Sequence, residues 1–251
     1  MTSPTALVTG AGRGIGRAIA VRLSQQGHRV ALTARSADQL AAVAADCPGE
    51  TLVIPADITD ADSAHRIFAA VEDALGPVEV LVLNAGSATS APLPRVTDAD
   101  WSAQLDVNLT APFRCLRRAI PSMKERGFGR IVAVASMASK IGEPYIAAYT
   151  AAKHGLLGLV RSAAAELAST GVTVNAVCPG YVDTSMTAAS IAAITDKTGR
   201  SPEAARAFLD AKQPIGRLIT PEEVTDAIML CVNNSGITGQ GINVDGGTVQ
   251  S

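Results

Sequence analysis

Short apolar segments and amphipathic segments alternate along the chain almost from its first residue. The apolar segments have the length of buried strands, and the amphipathic ones place apolar residues at helical spacing. The predicted strands are 6–9, 29–33, 51–54, 78–83, 130–135, 172–177 and 242–244, and the predicted helices are 15–26, 37–46, 60–75, 98–124 (with a weak point before Pro112), 149–170 and 221–232. Apolar strands separated by helices predict a parallel sheet covered on both faces, which is a doubly wound α/β fold of Rossmann type.

The length and composition fit one domain of this kind. The chain has 251 residues, of which 47% are hydrophobic and 18% charged, as in globular proteins. No internal repeat or linker divides it, so we expect a single domain over residues 1–251. Aromatic residues make up only 3%, so the core must consist mainly of Ala, Val, Leu and Ile.

Charge and apolar content exclude several classes of partner. The net charge is −2 at pH 7 and there is no basic run, so neither nucleic acid nor a membrane surface is expected. No apolar run approaches the roughly 18–20 residues that span a bilayer. Residues 1–5 lack the features of a secretory leader, so we expect a cytoplasmic protein. The cysteines are far apart and form no CxxC pair, so we expect no metal site and no disulfide framework: Cys47, Cys115, Cys178 and Cys231.

A glycine-rich turn, TGAGRGIG at residues 9–16, joins the first predicted strand to the first predicted helix. Glycines permit a tight turn and let backbone N–H groups approach a pyrophosphate at a helix N-terminus. The spacing differs from the GxGxxG of many dinucleotide folds, and a turn of this kind can also be a simple tight connection. Its place between strand and helix favours a dinucleotide site.

Several motifs in one order resemble the short-chain dehydrogenase/reductase family, from Thr9 to about Gly247. The glycine turn matches the family's TGxxxGxG. The other matching positions are Asn84-Ala85-Gly86 after the fourth strand, Asn108, Ser136 after the fifth strand, Tyr149-x3-Lys153, Pro179-Gly180 after the sixth strand, and Thr184. The resemblance implies an oxidoreductase that interconverts a ketone and a secondary alcohol with a nicotinamide cofactor.

The chemistry of the Tyr-x3-Lys pair agrees with this assignment. Tyr149 and Lys153 share one helical face. A nearby ammonium, joined by the positive charge of an oxidised nicotinamide, would lower the phenol pKa from its usual value of about 10. Ser136 can hold the substrate oxygen by a hydrogen bond. The resemblance implies that Lys153 also bonds the nicotinamide ribose and that Asn108 supports a water that relays protons. The alternatives are a solvated Tyr–Lys contact, a backbone-bonding Asn108 and a loop-capping Ser136.

The end of the second strand indicates which nicotinamide cofactor is used. It carries no Asp or Glu to bind the adenosine ribose of NAD(H), and it offers Arg35 instead. Arg35 and Arg13 could together bind the 2′-phosphate of NADP(H), so we expect NADP(H) to be preferred while NAD(H) remains possible. Asp57-Ile58 resembles the family's adenine-contacting pair, although Asp57 could instead cap a helix. The full set of expected cofactor contacts is Gly10, Arg13, Gly14, Ile15, Gly16, Arg35, Asp57, Ile58, Asn84, Gly86, Tyr149, Lys153, Gly180, Val182 and Thr184.

The substrate is less visible in the sequence. By resemblance, residues about 185–214 form a substrate lid and 87–96 a second pocket wall, with candidate contacts Ser87, Ile141, Tyr145, Tyr181 and Met186. Lys153-His154-Gly155 and Val177-Cys178-Pro179-Gly180 resemble reductases of polyketides and 3-oxoacyl thioesters. Reductases that act on acyl carrier protein tend to have Arg where this chain has Ala165, and the lack of this Arg argues against carrier docking. A basic residue that could bind the carrier remains near Arg126. A coenzyme A thioester, a free ketone and a polyketide all stay open.

Two other functions fit the sequence less well. A non-catalytic NADP(H)-sensing protein on the same fold would be expected to lose Tyr149 or Lys153, and both are present. An epimerase or dehydratase of the extended relatives would have a longer C-terminal region and a different glycine spacing.

Members of the family usually form dimers or tetramers. The resemblance therefore predicts a homotetramer or homodimer that pairs the helices over 99–124 and 149–170 across two-fold axes. The second helix is rich in small residues that permit close approach: Ala151, Ala152, Gly155, Gly158, Ala163, Ala164, Ala165 and Ala168. Residues 242–247 would form a second interface. A monomer whose small residues pack within itself is the alternative.

Overall fold

The computed structural model describes residues 3–250, and its centre is one parallel sheet of seven strands. The strands are β1 (Thr5–Thr9), β2 (Arg29–Ala34), β3 (Thr51–Pro55), β4 (Val80–Leu83), β5 (Gly129–Val134), β6 (Val172–Pro179) and β7 (Gly241–Val244). Their order is β3-β2-β1-β4-β5-β6-β7, and all neighbouring pairs are parallel. The expectation that residues 1–5 are not part of a secretory leader concerns in part Met1 and Thr2, which lie outside the described residues.

Helices cover both faces of this sheet. They are α1 (Gly14–Gln25), α2 (Ala37–Asp46), α3 (Ser63–Leu75), α4 (Asp98–Leu105), α5 (Ala111–Arg126), α6 (Ala147–Leu167), α7 (Ser185–Thr198), α8 (Pro202–Ala211) and α9 (Pro221–Asn233). One core cluster packs α3, α5 and α6 on the sheet, and the other packs α1, α2 and α9. Successive β1 residues alternate between them, since Leu7 joins the first cluster while Ala6 and Val8 join the second. The predicted doubly wound α/β class is confirmed.

The sheet order places a crevice beside β1. The chain runs outward from β1 through β2 to β3, and then returns to place β4 on the other side of β1. The connections that follow β1 and β4 therefore lead in opposite directions, which opens a crevice at the carboxyl ends of these strands. The glycine-rich loop and Asn84 both stand at this point.

Two regions depart from the predicted elements. The predicted helix over 98–124 consists of α4, a π-helical turn (Asp106–Thr110) and α5, so the interruption lies at the weak point before Pro112. The stretch 185–214, for which no helix or strand was predicted, contains α7 and α8. Elsewhere the predicted elements are present, with ends that differ by a few residues. Within residues 3–250, no helix is long and apolar enough to cross a membrane, and no cluster of side chains could hold a metal ion.

Candidate active site

Close backbone contacts hold the glycine-rich loop in the crevice between β1 and β4. Gly16 has no room for a side chain, because a Cβ there would lie 2.2 Å from the Gly10 carbonyl oxygen. The Asn84 amide nitrogen donates to the carbonyl oxygens of Thr9 and Gly10, at 3.0 Å each. Arg13 stands at the N-cap of α1 and makes no capping bond with its side chain. The first N–H groups of α1 are therefore available to an anion.

A cavity of about 550 Å³ opens along this crevice. Most of the predicted cofactor contacts line it: Gly10, Arg13, Gly14, Ile15, Gly16, Arg35, Asp57, Ile58, Asn84, Gly86 and Thr184. Its lining also includes Ser36, Gln39 and Thr59, which sequence reasoning missed although Ser36 is next to Arg35. The other four predicted contacts, Tyr149, Lys153, Gly180 and Val182, are not part of the lining, and Val182 is buried in a bridge with Ile219.

Two arginines and one carboxylate line the cavity. Arg13 and Arg35 are exposed, and Asp57 is the one acidic residue in the described lining. Asp57 Oδ1 accepts hydrogen bonds from the Thr59 backbone N–H at 2.9 Å and from its hydroxyl at 2.7 Å. These two bonds, helped by the charge of Arg35, lower the pKa of Asp57. The helix-capping alternative for Asp57 is wrong, because α3 begins at Ser63 with Asp62 as its N-cap.

Tyr149 and Lys153 lie one turn apart near the start of α6, as their spacing predicts. The Tyr149 side chain is hydrogen-bonded to that of Ser136. Ser136 Oγ also accepts from the Ala138 backbone N–H at 3.1 Å, so it caps the 3₁₀ turn Met137–Ser139. The loop-capping and the catalytic interpretations of Ser136 are thus compatible.

Burial dominates the electrostatics of this pair. The Lys153 ammonium is buried, donates to the Val134 carbonyl at 2.8 Å and lies 5.6 Å from the centroid of the Tyr149 ring. Burial lowers the pKa of Lys153 to about 8. Burial also raises the pKa of Tyr149, and the hydrogen bond to Ser136 offsets only part of the rise. In the protein's own groups desolvation is therefore the larger effect, and the net shift of the Tyr149 pKa is upward. The expected lowering, which also counted the positive charge of an oxidised nicotinamide, stays a prediction for the enzyme with its cofactor.

Asn108 lies in the π-helical turn and is completely buried. Its amide nitrogen donates to the carbonyl oxygens of Ser87 at 2.9 Å and Gln104 at 3.0 Å, so the backbone-bonding role is present. Its Oδ1 is buried and accepts no hydrogen bond from the described residues. A Cβ on Gly86 would lie 2.8 Å from this Oδ1 and 3.7 Å from Lys153 Nζ. The missing side chain of Gly86 therefore leaves space that borders both polar groups.

The substrate-side candidates are only partly brought together. Ser87 and Met186 line the cavity, whereas Ile141, Tyr145 and Tyr181 lie outside its lining. Sequence reasoning missed three polar residues beside Tyr181, namely Glu143, Lys212 and Gln213. Lys212 and Glu143 are 69 positions apart in the chain, so no local motif or periodicity could indicate their contact.

Comparison with known proteins gives consistent similarities. The model of a family described as short chain dehydrogenase matches residues 4–194. The chain is 40% identical to the 3-oxoacyl-[acyl-carrier-protein] reductase MabA of Mycobacterium tuberculosis over 98% of this chain and 92% of that one. It is 37% identical to the 3-oxoacyl-[acyl-carrier-protein] reductase of Synechocystis over 99% and 98%. Among solved structures, a single-residue variant of the actinorhodin polyketide ketoreductase with NADPH superposes with a TM-score of 0.95 at 37% identity, covering 99% of both chains. Levodione reductase superposes with a TM-score of 0.93 at 28% identity, covering 98% of both.

Proposed function

The chain belongs to the short-chain dehydrogenase/reductase family and is an oxidoreductase of CH–OH groups, and from this premise we propose that it is an NADP(H)-dependent ketoreductase with Tyr149 as its acid and base. The observation that carries the proposal is the meeting of Ser136, Tyr149 and Lys153 beside the glycine-loop cavity. Gly86 connects the cavity with these three side chains, since it lines the cavity and borders Lys153.

The protein's own groups can hold the substrate and deliver a proton. A bound nicotinamide cofactor supplies the hydride. Ser136 donates a hydrogen bond to the substrate carbonyl oxygen, and Tyr149 passes its phenol proton to that oxygen. The charge of Lys153 then stabilises the phenolate, and Lys153 returns a proton to it. Asn108 Oδ1, which is buried and has no partner among the described residues, suits a water that resupplies Lys153.

The residues at the cavity fit NADP(H). The α1 N-terminus and the glycines of its loop suit a pyrophosphate, and Arg13 and Arg35 suit a 2′-phosphate. The one acidic residue of the described lining, Asp57, is bonded to Thr59. The presence of NADPH in the related actinorhodin ketoreductase supports the same choice. NAD(H) would bind more weakly because it lacks the group that the two arginines recognise.

The substrate that we propose is a 3-oxoacyl thioester or a polyketide-like ketone. Support comes from the activities named for the relatives and from α7 and α8, which follow the active-site strand β6. We propose that residues 185–214 form the substrate lid of a single domain. A non-catalytic NADP(H)-sensing protein would have no use for a Tyr149 held by Ser136.

Turnover assays test the proposal directly. NADPH consumption would be followed by absorbance with a 3-oxoacyl-coenzyme A, its short N-acetylcysteamine analogue and a bicyclic ketone. Oxidation of the matching alcohols with NADP⁺ would be followed in parallel. We expect turnover of at least one ketone with NADPH. Tight NADPH binding without turnover of any of them would instead favour the sensing protein.

A further inference from the structure

A group of side chains around Lys212 connects the end of the lid to the loop that carries Ser136. Lys212 Nζ lies 2.8 Å from Glu143 Oε2 and 3.4 Å from the Tyr181 hydroxyl. It also lies 5.6 Å from the centroid of the Tyr181 ring and 5.7 Å from that of Phe208. We call Glu143, Tyr181, Phe208 and Lys212 the Lys212 cluster. It unites the loop between β5 and α6, the residue after Pro179-Gly180 and the end of α8.

The ion pair of this cluster is more protected than the other ion pair that α8 makes. The side chains of Glu143 and Lys212 are 13% and 31% exposed, whereas those of Asp183, in the loop after β6, and Arg206, in α8, are 54% and 47% exposed. Burial alone would lower the pKa of Lys212, but the contacts with Glu143 and Tyr181 outweigh it and raise the pKa. Lys212 therefore stays charged, and partial burial makes its attraction to Glu143 stronger than that of an exposed pair.

The backbone of Tyr181 is fixed by the next residue of the lid. Gln213 Oε1 accepts from the Tyr181 N–H at 2.9 Å, and Gln213 Nε2 donates to the Tyr181 carbonyl at 3.2 Å. Gln213 is buried, and its Nε2 also donates to the Arg217 carbonyl. Consecutive lid residues thus hold both parts of Tyr181, since Gln213 holds the backbone and Lys212 the side chain.

Tyr181 stands where it can shape the reaction site. It follows the carboxyl end of β6, the sheet edge at which ligands bind in this fold. Tyr181 is also among the smaller causes of the raised pKa of Tyr149. Glu143 lies in the segment between Ser136 and Tyr149, so the ion pair also ties the lid to the loop that joins these two residues.

We propose that the Glu143–Lys212 ion pair is a positioning and specificity-determining element, which sets Tyr181 and the end of the lid as one wall of the ketone cleft. The charges of the pair are balanced within it, so this wall offers no net charge to the substrate. It suits an uncharged acyl chain or ring and gives no cation to a free carboxylate. The inference rests on the proposed ketoreductase function of the site.

Steady-state kinetics test the proposal with matched variants. Glu143→Gln and Lys212→Met should each raise the KM of the bulkiest ketone about tenfold while kcat changes less than about threefold. The double variant should be no worse than either single one, because both remove the same pair. Lys212→Arg should recover part of the loss, and the control Arg206→Met should match the wild type. An unchanged KM in both single variants, additive losses in the double variant, or a fall confined to kcat would overturn the proposal.

A second readout is independent of turnover. Thermolysin cleaves at apolar residues, so Glu143→Gln and Arg206→Gln leave its lid sites unchanged. Glu143→Gln should speed cleavage within 185–214 several-fold, and Arg206→Gln should have little effect. Equal cleavage rates in the two variants would overturn the role of the pair. If the wild type reduces no ketone, the proposed function fails, and the cleavage rates still decide whether the pair positions the lid.

Discussion

Burial shifts the pKa values of Tyr149 and Lys153 in opposite directions, and both shifts favour the uncharged form. A phenol that stays protonated near neutral pH can give its proton to a ketone oxygen. A lysine with a pKa of about 8 exchanges its proton readily in the same range. The pair therefore suits reduction, in which the phenol must be protonated before hydride transfer and be reprotonated afterwards.

Replacing Tyr149 tests its role as proton donor. Tyr149→Phe removes the hydroxyl and its bond to Ser136 but keeps the ring in α6. We expect kcat for ketone reduction to fall by about a thousandfold, within the usual range for loss of a general acid. NADPH binding, measured by fluorescence titration, should stay within a few-fold of the wild type. A variant that kept most of the wild-type kcat would exclude Tyr149 as the donor.

The depressed pKa of Lys153 predicts how stability depends on pH. Its folded pKa is about 8 and its usual value is 10.5, so between these values the unfolded state binds more protons and wild-type stability rises with pH. Lys153→Met removes this effect. The unfolding free energy of the variant minus that of the wild type should be greatest below pH 8. This difference should decline by up to about 3 kcal/mol toward pH 10.5, because the wild type gains stability over that range. Urea titrations across this range measure it. A difference that does not vary with pH would contradict the lowered pKa.

Arg35 predicts the preference between coenzymes. Arg35→Asp places an acid at the end of β2, where it repels a 2′-phosphate and can bind ribose hydroxyls. We expect the ratio of kcat/KM for NADPH over NADH to fall by at least about a hundredfold, mainly through KM. Arg66→Asp, at an exposed arginine outside the cavity lining, is the control and should leave the ratio unchanged. A wild-type enzyme that preferred NADH would contradict the assignment itself.

Local motifs explain which site residues could be predicted from sequence. Tyr149 and Lys153 are one helical turn apart, so their spacing alone brings the two side chains together. The glycine loop can be found by its place between a strand and a helix. The Glu143–Lys212 contact depends on how two distant segments fold over β6. The rise in the Tyr149 pKa was missed for a related reason, since burial depends on the packed surroundings and not on the neighbouring turn.

At the scale of elements, buried apolar surface decided what could be predicted. All eight residues of β6 are buried, and its valines made it visible although Thr173 and Asn175 interrupt the apolar run. In α7 the one buried residue is Thr187, so this helix has no apolar periodicity to detect. The start of α8 did carry a signal that was not used. Ser201 caps it by accepting from the Ala204 N–H, and Pro202 follows as its first residue.

Two glycines of α6 give a matched test of packing. Gly158 is exposed and a Cβ there would meet nothing within 4 Å, whereas a Cβ on Gly155 would lie 2.9 Å from Leu109 Cδ2. Gly158→Ala should stabilise the single chain by about 0.5–1 kcal/mol through helix propensity, a gain that a closely paired α6 of a partner would reduce. Gly155→Ala should gain less or be destabilising, because Leu109 must move. Urea unfolding of both variants measures this, and equal gains would contradict the close contact at Gly155.

For the whole molecule, the described surface keeps apolar and small residues exposed on the helices expected to pair. Trp101 of α4 and Phe113 of α5 are 41% and 42% exposed. Among the small residues of α6, Ala152, Ala163 and Ala164 are buried, Ala151 and Gly155 are half-buried, and Gly158, Ala165 and Ala168 remain exposed at the helix surface or its end. The exposed group is the one that a partner helix would cover in the expected assembly.

The edge strand β7 offers a second surface for association. It pairs with β6 on one side and ends the described sheet on the other, and all four of its residues are only half-buried. Asp245, directly after it, accepts hydrogen bonds from the backbone N–H groups of Gly247 and Val249, which fixes the turn that follows. Two separate surfaces related by two-fold axes would produce a tetramer.

Sedimentation at micromolar concentration tests this assembly. We expect a mass about four times the 25.6 kDa of the chain. Phe113→Asp places a charge on the exposed face of α5 and should shift the mass to that of a dimer or monomer, because an unpaired charge is costly to bury in an interface. Phe128→Asp is the control, since Phe128 is similarly exposed at 39% but lies outside α5 and α6. It should keep the wild-type mass. A wild-type mass near that of one chain would show that the small residues of α6 serve packing within the monomer alone.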